Sequence, residues 1–385
     1  MSQKDPFAGI ADALRRVGVS DEEIEAAQRE GPRALILLFA DRVFVPGAER
    51  ITRVEAAKRA GIDVEEAAAF WRALGFPDVS DNESVFTEAD VDVLRRVVEA
   101  IRSGAVDREM ALQMTRVMGR AAAQVAAGLV DTVRRAADNN AGAVPELLGG
   151  TPDLIDDLEQ WLVYVWRRHF AAEAKRAALE IGSEEAGTAV VGFADLVGFS
   201  GISQTLDEAT LAAAVSSFEA TAVDLVSRHR GRVIKMIGDE VMFEAPSARE
   251  GAEIALGLVD AFEADEQLPD IRVGLAEGPV TRNQGDLFGT APNLASRLVD
   301  AAYPATVLVS DSIHEGLVDE PGFAFRPVRP QNLKGFGRTR FWVLRREGAQ
   351  KLRPMWKVPL PLRGIEIAER VEEAVERATK GADET

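Results

Sequence analysis

The chain has no cysteine, which excludes disulfides and thiolate metal sites and suits a reducing compartment. No apolar run approaches the ~20 residues needed to span a bilayer. The N-terminal MSQKDPFAGIADALRRVG mixes charges early and lacks the apolar core of a signal peptide. Positive charge is also in short supply. Lys and Arg number 45 against 63 Asp and Glu, a formal net charge of −18. Such a surface repels a phosphate backbone, so no nucleic-acid partner is expected. A soluble, cytoplasmic protein is predicted.

What is present fits a globular protein. The 385 residues suffice for two or three domains, and the 46% hydrophobic content is ordinary. Residues 1–140 read as helical throughout. Ser20 with Glu23 and Thr87 with Asp90 are capping-box starts. Val91, Leu94, Val98 and Ile101 follow helical spacing up to a stop at Gly104. A long Ala-rich helix is predicted over 107–137. DNNAGAVPELLGGTPD (138–153) is a Gly, Pro and Asn break. Residues 154–180 read as one amphipathic helix, and GSEEAG (182–187) leads into a new pattern. The predicted domains are 1–150, helical; 151–187, a connecting helix and linker; 188–346, mixed strands and helices; and 347–385, a tail.

From residue 188 strands alternate with helices: strand 188–195, helix 206–228, hairpin 231–245, helix 247–263 and strand 270–277. A helix at 291–301, a strand at 306–310 and strands at 323–328 and 339–345 follow. The βαββαβ order predicts a ferredoxin-like, palm-type sandwich, hence an α+β fold class for the whole chain.

Four blocks carry chemistry: FADLVGFS (193–200), VIKMIGDEVMFE (233–244), GDLFGTAPNLASR (285–297) and NLKGFG (332–337). Asp195 and Asp239 each end an apolar strand-like run, and such a pair can hold two divalent cations over a phosphate chain. Alone, a Gly-Asp turn carboxylate is ordinary. Lys235 can only donate a hydrogen bond and Asp286 can only accept one. Together they complement adenine, which offers an acceptor at N1 and a donor at N6. Guanine needs the reverse. Asn293 and Arg297 are four residues apart, hence on one helical face.

In this order the blocks resemble the class III nucleotide cyclase family, over roughly residues 186–346. The resemblance implies attack of the ribose 3′-hydroxyl of ATP on the α-phosphorus, giving 3′,5′-cyclic AMP and pyrophosphate. It implies Mg²⁺ or Mn²⁺, two ions per site, held by Asp195, Asp239 and the backbone carbonyl of Leu196. Asn293 would orient the ribose, Arg297 would stabilise charge on the α-phosphate, and Lys334 would meet the terminal phosphates. Pro292 departs from the pattern, because relatives often carry Val there. A helix tolerates proline in its first turn. The resemblance further implies a homodimer with two sites at the shared interface. One copy supplies the aspartates and the other supplies Lys235, Asp286, Asn293 and Arg297. A guanylate cyclase, and an inactive homologue acting as a sensor or binding module, are the alternatives.

Residues 51–97 have a helix–turn–helix cadence resembling MerR-type regulators. The would-be recognition helix DVEEAAAFWRALG is acidic at its start, with Arg72 its only basic residue, so a bundle element is expected. By position and length this half resembles the regulatory domain of soluble actinobacterial cyclases. Met110, Met114, Met118, Val117, Val125 and Leu129 form an apolar stripe. It reads as core, as a helix–helix seam, or as the lining of an apolar-ligand site. His169 adjoins Arg167 and Arg168 in the connecting helix and is the regulatory candidate for a pH response, against its plain reading as a solvated surface histidine.

Overall fold

The computed structural model describes residues 8–45, 47, 49–139, 154–180, 187–199, 208–264 and 269–348. The predicted tail beyond residue 348 and nearly all of the 138–153 break lie outside the described residues. Two compact units divide at Lys175/Arg176.

Helix α1 (Ala8–Arg16), α2 (Asp21–Glu30) and α3 (Pro32–Val43) close around Ile10, Leu14, Ile24, Leu35 and Phe39. The Ser20 hydroxyl accepts from the Glu23 amide at 3.3 Å, satisfying one of the donors left over at a helix start. A second cluster is built by β1 (Ile51–Thr52), α4 (Arg53–Ala60), α5 (Val64–Leu74), β2 (Ser84–Phe86), α6 (Glu88–Arg102) and the start of α7 (Arg108–Asn139). The Thr87 amide donates to Asp90 at 2.7 Å, and Val91, Leu94 and Val98 point into the core.

Two expectations for this half need correction. It is not helical throughout, because β1 and β2 form a short antiparallel ladder with Ile51 opposite Phe86, and Trp71 stacks on Phe86 at 4.1 Å. Strands of two and three residues are too short to show alternation in a sequence. Nor is the methionine stripe core of its own unit. Among the described residues of α7 Ala111, Leu112, Thr115 and Gly119 are buried, whereas Met110, Met114 and Met118 are exposed. Helix α8 (Leu154–Glu180) is a single helix, as predicted, but not a clean amphipath. Trp161, Leu162, Val163, Tyr164, Val165 and Trp166 are consecutive and all exposed, so they encircle the helix instead of lining one side.

In the second unit, TAVVGFADL has apolar residues on both parities and forms β3 (Thr188–Leu196), a central strand covered on both faces. Next come α9 (Glu208–Arg228), β4 (Arg232–Ile237), β5 (Glu240–Ala245), α10 (Ala248–Ala264), β6 (Ile271–Asn283), β7 (Asp286–Gly289), α11 (Thr290–Ala301), β8 (Thr306–Ser310), α12 (Asp311–Leu317), β9 (Phe323–Pro327), β10 (Gln331–Leu333), β11 (Gly337–Thr339) and β12 (Phe341–Arg346). The main sheet runs β4-β5-β3-β6-β8-β12-β9, with β7 paired to β6. Its first four strands are antiparallel in the ferredoxin-like order, and β6 runs parallel to β8.

The faces differ. One packs Val190, Ala194, Val241, Phe243 and Leu275 against Phe218 of α9 and Ile254 and Leu258 of α10. The other packs Val191, Phe193, Met242 and Ala276 against Ala295 and Leu298 of α11 and Leu333 of β10. Gly274 permits the close approach of α11. A Cβ there would lie 2.2 Å from the Ala295 carbonyl oxygen. The β6–β7 hairpin is absent from the expected strand order, although the turn Asn283-Gln284-Gly285-Asp286 carries its signal. Gln284 and Gly285 both have positive φ, as a two-residue hairpin turn requires.

Candidate active site

Side chains alternate along a strand, so Asp195 shares the α11 face with Val191 and Phe193. Glu240 lies opposite Asp195 on one side and Arg272 lies opposite it on the other. The turn joining β4 to β5 places Gly238 at φ 64° and brings Asp239 against the end of β3, where the Leu196 amide donates to the Asp239 carbonyl at 3.2 Å. Asp195, Leu196 and Asp239 thus meet at one sheet end.

This end is over-supplied with negative charge. The Asp195 carboxyl is pushed up by burial, against which the Arg272 guanidinium works, with Asp239 and Asp300 raising it further. Arg272 Nε donates to Asp195 Oδ2 at 2.7 Å. Burial, then Asp195, Asp300 and Asp239, push Glu240 to about 7. Carboxylates that raise one another's pKa are short of a cation. Hard oxygen donors converging in this way fit Mg²⁺ or Mn²⁺. Among the described residues no group of three or more His, Cys, Asp or Glu side chains is disposed to hold a metal on its own. Two carboxylates and a carbonyl would leave positions for substrate oxygens.

Lys235 of β4 and Asp286 of β7 are 51 residues apart in sequence, yet Lys235 Nζ donates to Asp286 Oδ2 at 2.5 Å. The Leu287 amide donates to Asp286 Oδ1 at 2.8 Å, and Leu287 itself is buried beneath the hairpin. The carboxylate is therefore aimed from both oxygens. Among the described residues no hydrogen bond or ion pair joins the Lys235–Asp286 pair to Asp195 or Asp239.

Helix α11 presents Asn293 to solvent and Arg297 half-exposed, while Ala295, Leu298 and Val299 anchor its other side. Arg297 Nη1 donates to Asp300 at 3.0 Å. Pro292 is buried within the first turn, where its missing N–H removes no helix bond. Lys334 is exposed in the β10–β11 turn beside Gly335, with Leu333 and Phe336 packed on the α11-face core. His169 is exposed on α8.

Sequence reasoning missed Arg272, Glu240 and Asp300. A signal existed for the first two, since each is a charge at the end of an apolar strand. Asp300 was detectable only as the third residue after Arg297.

The family described as the adenylate and guanylate cyclase catalytic domain matches residues 181–346. The family described as the adenylate cyclase regulatory domain matches residues 7–143. A Streptomyces coelicolor protein named adenylate cyclase is 36% identical over 378 residues, covering 88% of this chain and 96% of the relative. A Streptomyces griseus protein of the same name is 34% identical over 352 residues, 87% of this chain and 86% of its own. The solved adenylyl cyclase CyaB from P. aeruginosa is 20% identical, with a TM-score of 0.38 over 43% of this chain and 95% of that one. No described helix is long and apolar enough to cross a membrane. With a regulatory-domain match ahead of a catalytic-domain match, and relatives above 30% identity along most of its length, the chain belongs to the class III adenylate and guanylate cyclase family.

Proposed function

We propose that this chain is an adenylate cyclase that converts ATP to 3′,5′-cyclic AMP and pyrophosphate at sites shared between two copies. The observation that carries the reading is the 2.5 Å Lys235–Asp286 pair on the sheet face that also bears the Asp195–Asp239 end. Lys235 would donate to adenine N1, and Asp286 would accept from the N6 amino group. Guanine would set a donor against Lys235 and an acceptor against Asp286, which disfavours GTP. The relatives named adenylate cyclase support the same choice.

Asp195, Asp239 and the Leu196 carbonyl would hold two Mg²⁺ or Mn²⁺ ions, which neutralise phosphate charge and make the ribose 3′-hydroxyl a better nucleophile. Asn293 would orient the ribose. Arg297 would leave Asp300 for the α-phosphate, where an always-charged planar donor array suits the developing negative charge. Arg272 would also be available to phosphate oxygens once Asp195 turns to other partners. Lys334 would act as a point charge for the terminal phosphates. The sites are read as shared in a two-fold dimer, in which each draws its aspartates from one copy and its base readers from the other.

The test is complementation. Asp195→Ala and Arg297→Ala should each be inactive alone. Mixed, they should regain activity, because one of the two sites in the heterodimer is then intact. Lys235→Ala mixed with Arg297→Ala should stay inactive, since both changes fall in the same half-site. Heterodimers that form but show no activity in the first mixture would rule out shared sites.

The residues ahead of the catalytic region are read as a regulatory domain, joined through α8. Removal of residues 1–150 should change specific activity severalfold, and upward. His169, beside Arg167 and Arg168, is the proposed pH-responsive group. His169→Ala should flatten the activity profile between about pH 5 and 8. Superimposable profiles for wild type, His169→Ala and the truncated chain would remove that role.

A further inference from the structure

Glu244 is a charge in an apolar strand. Val241, Met242, Phe243 and Ala245 around it are buried, and Glu244 itself is only 7% exposed. By alternation it faces the same side as Met242 and Glu240, the side that carries Asp195. A buried carboxylate requires partners. Arg232 Nη2 donates to Glu244 Oε2 at 2.8 Å, and Arg282 Nη2 donates to Oε1 at 2.6 Å. Burial pushes the Glu244 carboxyl up, but the two guanidiniums outweigh it and hold the group below its ordinary value.

The two arginines come from different elements. Arg232 begins β4, three residues before Lys235. Arg282 lies on the outer arm of β6, opposite Leu287 in the hairpin that carries Asp286. Glu244 is level with Val191, and Val191 is level with Ala276. Arg282 is six residues beyond Ala276, ~20 Å further along a straight strand. It nevertheless reaches Glu244, so the outer arm of β6 bends back across the face. The Glu244 clamp and the Lys235–Asp286 bond therefore join the same two bodies, the β4–β5 hairpin and the β6–β7 hairpin.

We infer that Glu244, held between Arg232 and Arg282, is a positioning residue that sets the separation of Lys235 and Asp286 and thereby the preference for adenine over guanine. This rests on reading Lys235 and Asp286 as the base readers. With the Glu244 charge removed, the carboxylate that bridges Arg232 and Arg282 is lost, and with it the charge-assisted tie between the two hairpins. The β6–β7 arm then moves away from β4 and takes Asp286 with it. The clamp makes no described hydrogen bond to Asp195, Asp239, Asn293 or Arg297.

The experiment uses the full chain with Glu244→Gln, Arg282→Gln and Asp286→Asn, measuring kcat and KM for ATP and GTP alongside Tm. Glu244→Gln should raise the KM for ATP ~10-fold with kcat within ~3-fold, and should lower the ATP-to-GTP ratio of kcat/KM by a similar factor. Arg282→Gln, at an exposed position, should shift the ratio in the same direction and serves if Glu244→Gln does not fold. Asp286→Asn tests the underlying reading. If Asp286→Asn lowers the ratio while both clamp variants leave it unchanged, the clamp inference is overturned and the base readers stand. If Asp286→Asn leaves the ratio unchanged, the base readers fall and the specificity role of Glu244 falls with them. An equal loss with both nucleotides at an unchanged ratio marks a purely structural role and also overturns the inference.

Discussion

The two ends of the α11 face are built on opposite electrostatic terms. At the acidic end four carboxylates, Asp195, Asp239, Glu240 and Asp300, meet two guanidiniums, Arg272 and Arg297. At the proposed base-reading end two carboxylates, Glu244 and Asp286, meet three cations, Arg232, Arg282 and Lys235. Of these six carboxyls the two that are raised, Asp195 and Glu240, belong to the first end, and the one that is lowered, Glu244, belongs to the second. The difference teaches what each end waits for. The end proposed to read the base has its ionic partners in place within the chain, which fixes its geometry. The acidic end is left unbalanced, which favours a cation and the phosphates that come with it.

Removing the imbalance should have the largest effect. Asp195→Ala or Asp239→Ala should lower kcat by ~10²–10³-fold, the scale at which groups that organise transition-state charge act. The far-ultraviolet circular dichroism should be unchanged, since neither side chain belongs to the apolar core. Either variant turning over ATP near the parental rate would break the comparison at its root.

A smaller effect concerns stability. Glu240 titrates near 7 when folded, above its ordinary 4.5. The folded state thus holds this proton more tightly than the unfolded chain does. Its contribution is most favourable below about pH 4.5 and is lost as pH rises through 7. Asp195, also raised, pulls in the same direction. Without divalent cation, Tm should fall as pH rises from 5 to 8. Glu240→Gln should flatten that slope and raise Tm by a few degrees at pH 8. Mg²⁺ should stabilise the parent more at pH 8 than at pH 6. Identical melting curves across pH for parent and Glu240→Gln would show that the acidic end carries no such excess.

The same contrast explains what the sequence made legible. Asp195, Asp239, Asp286, Asn293 and Arg297 stood out because each sits at a strand end, in a Gly-containing turn or at helical spacing, whereas Lys235, inside β4, stood out only through the motif around it. The structure does place Lys235 on Asp286, and Asp195 beside Asp239. The groups that tune them did not stand out. Arg272 reaches Asp195 across 77 residues and Arg282 reaches Glu244 across 38. Contacts of that range follow from strand order and from the bend of β6, neither of which a local pattern encodes. The short strands β1, β2, β10 and β11 offered too few residues for alternation to register. On α8 the composition suggested one apolar side, but six consecutive bulky residues cannot share a side at 3.6 residues per turn.

Pro292 should separate the ends from the helix that spans them, with the smallest effect of the three. Helix α11 carries Asn293 near its start and Arg297 and Asp300 near its end. Pro292 is in the first turn, where no intrahelical bond needs its N–H. Its ring fixes φ in the unfolded chain as well as the folded one, so Pro292→Ala should cost ~0.4–1 kcal/mol of stability through unfolded-state entropy alone. Pro292 is also buried, so loss of ring contacts adds to the drop in Tm. Asn293 and Arg297 keep their common face, because their spacing is unchanged. Activity with ATP should therefore stay within about twofold at temperatures well below Tm, as expected where no interaction specific to the transition state is removed. A drop in kcat beyond tenfold with Tm barely moved would show that the proline sets the entry angle of α11. The acidic and base-reading ends would then be coupled through that helix.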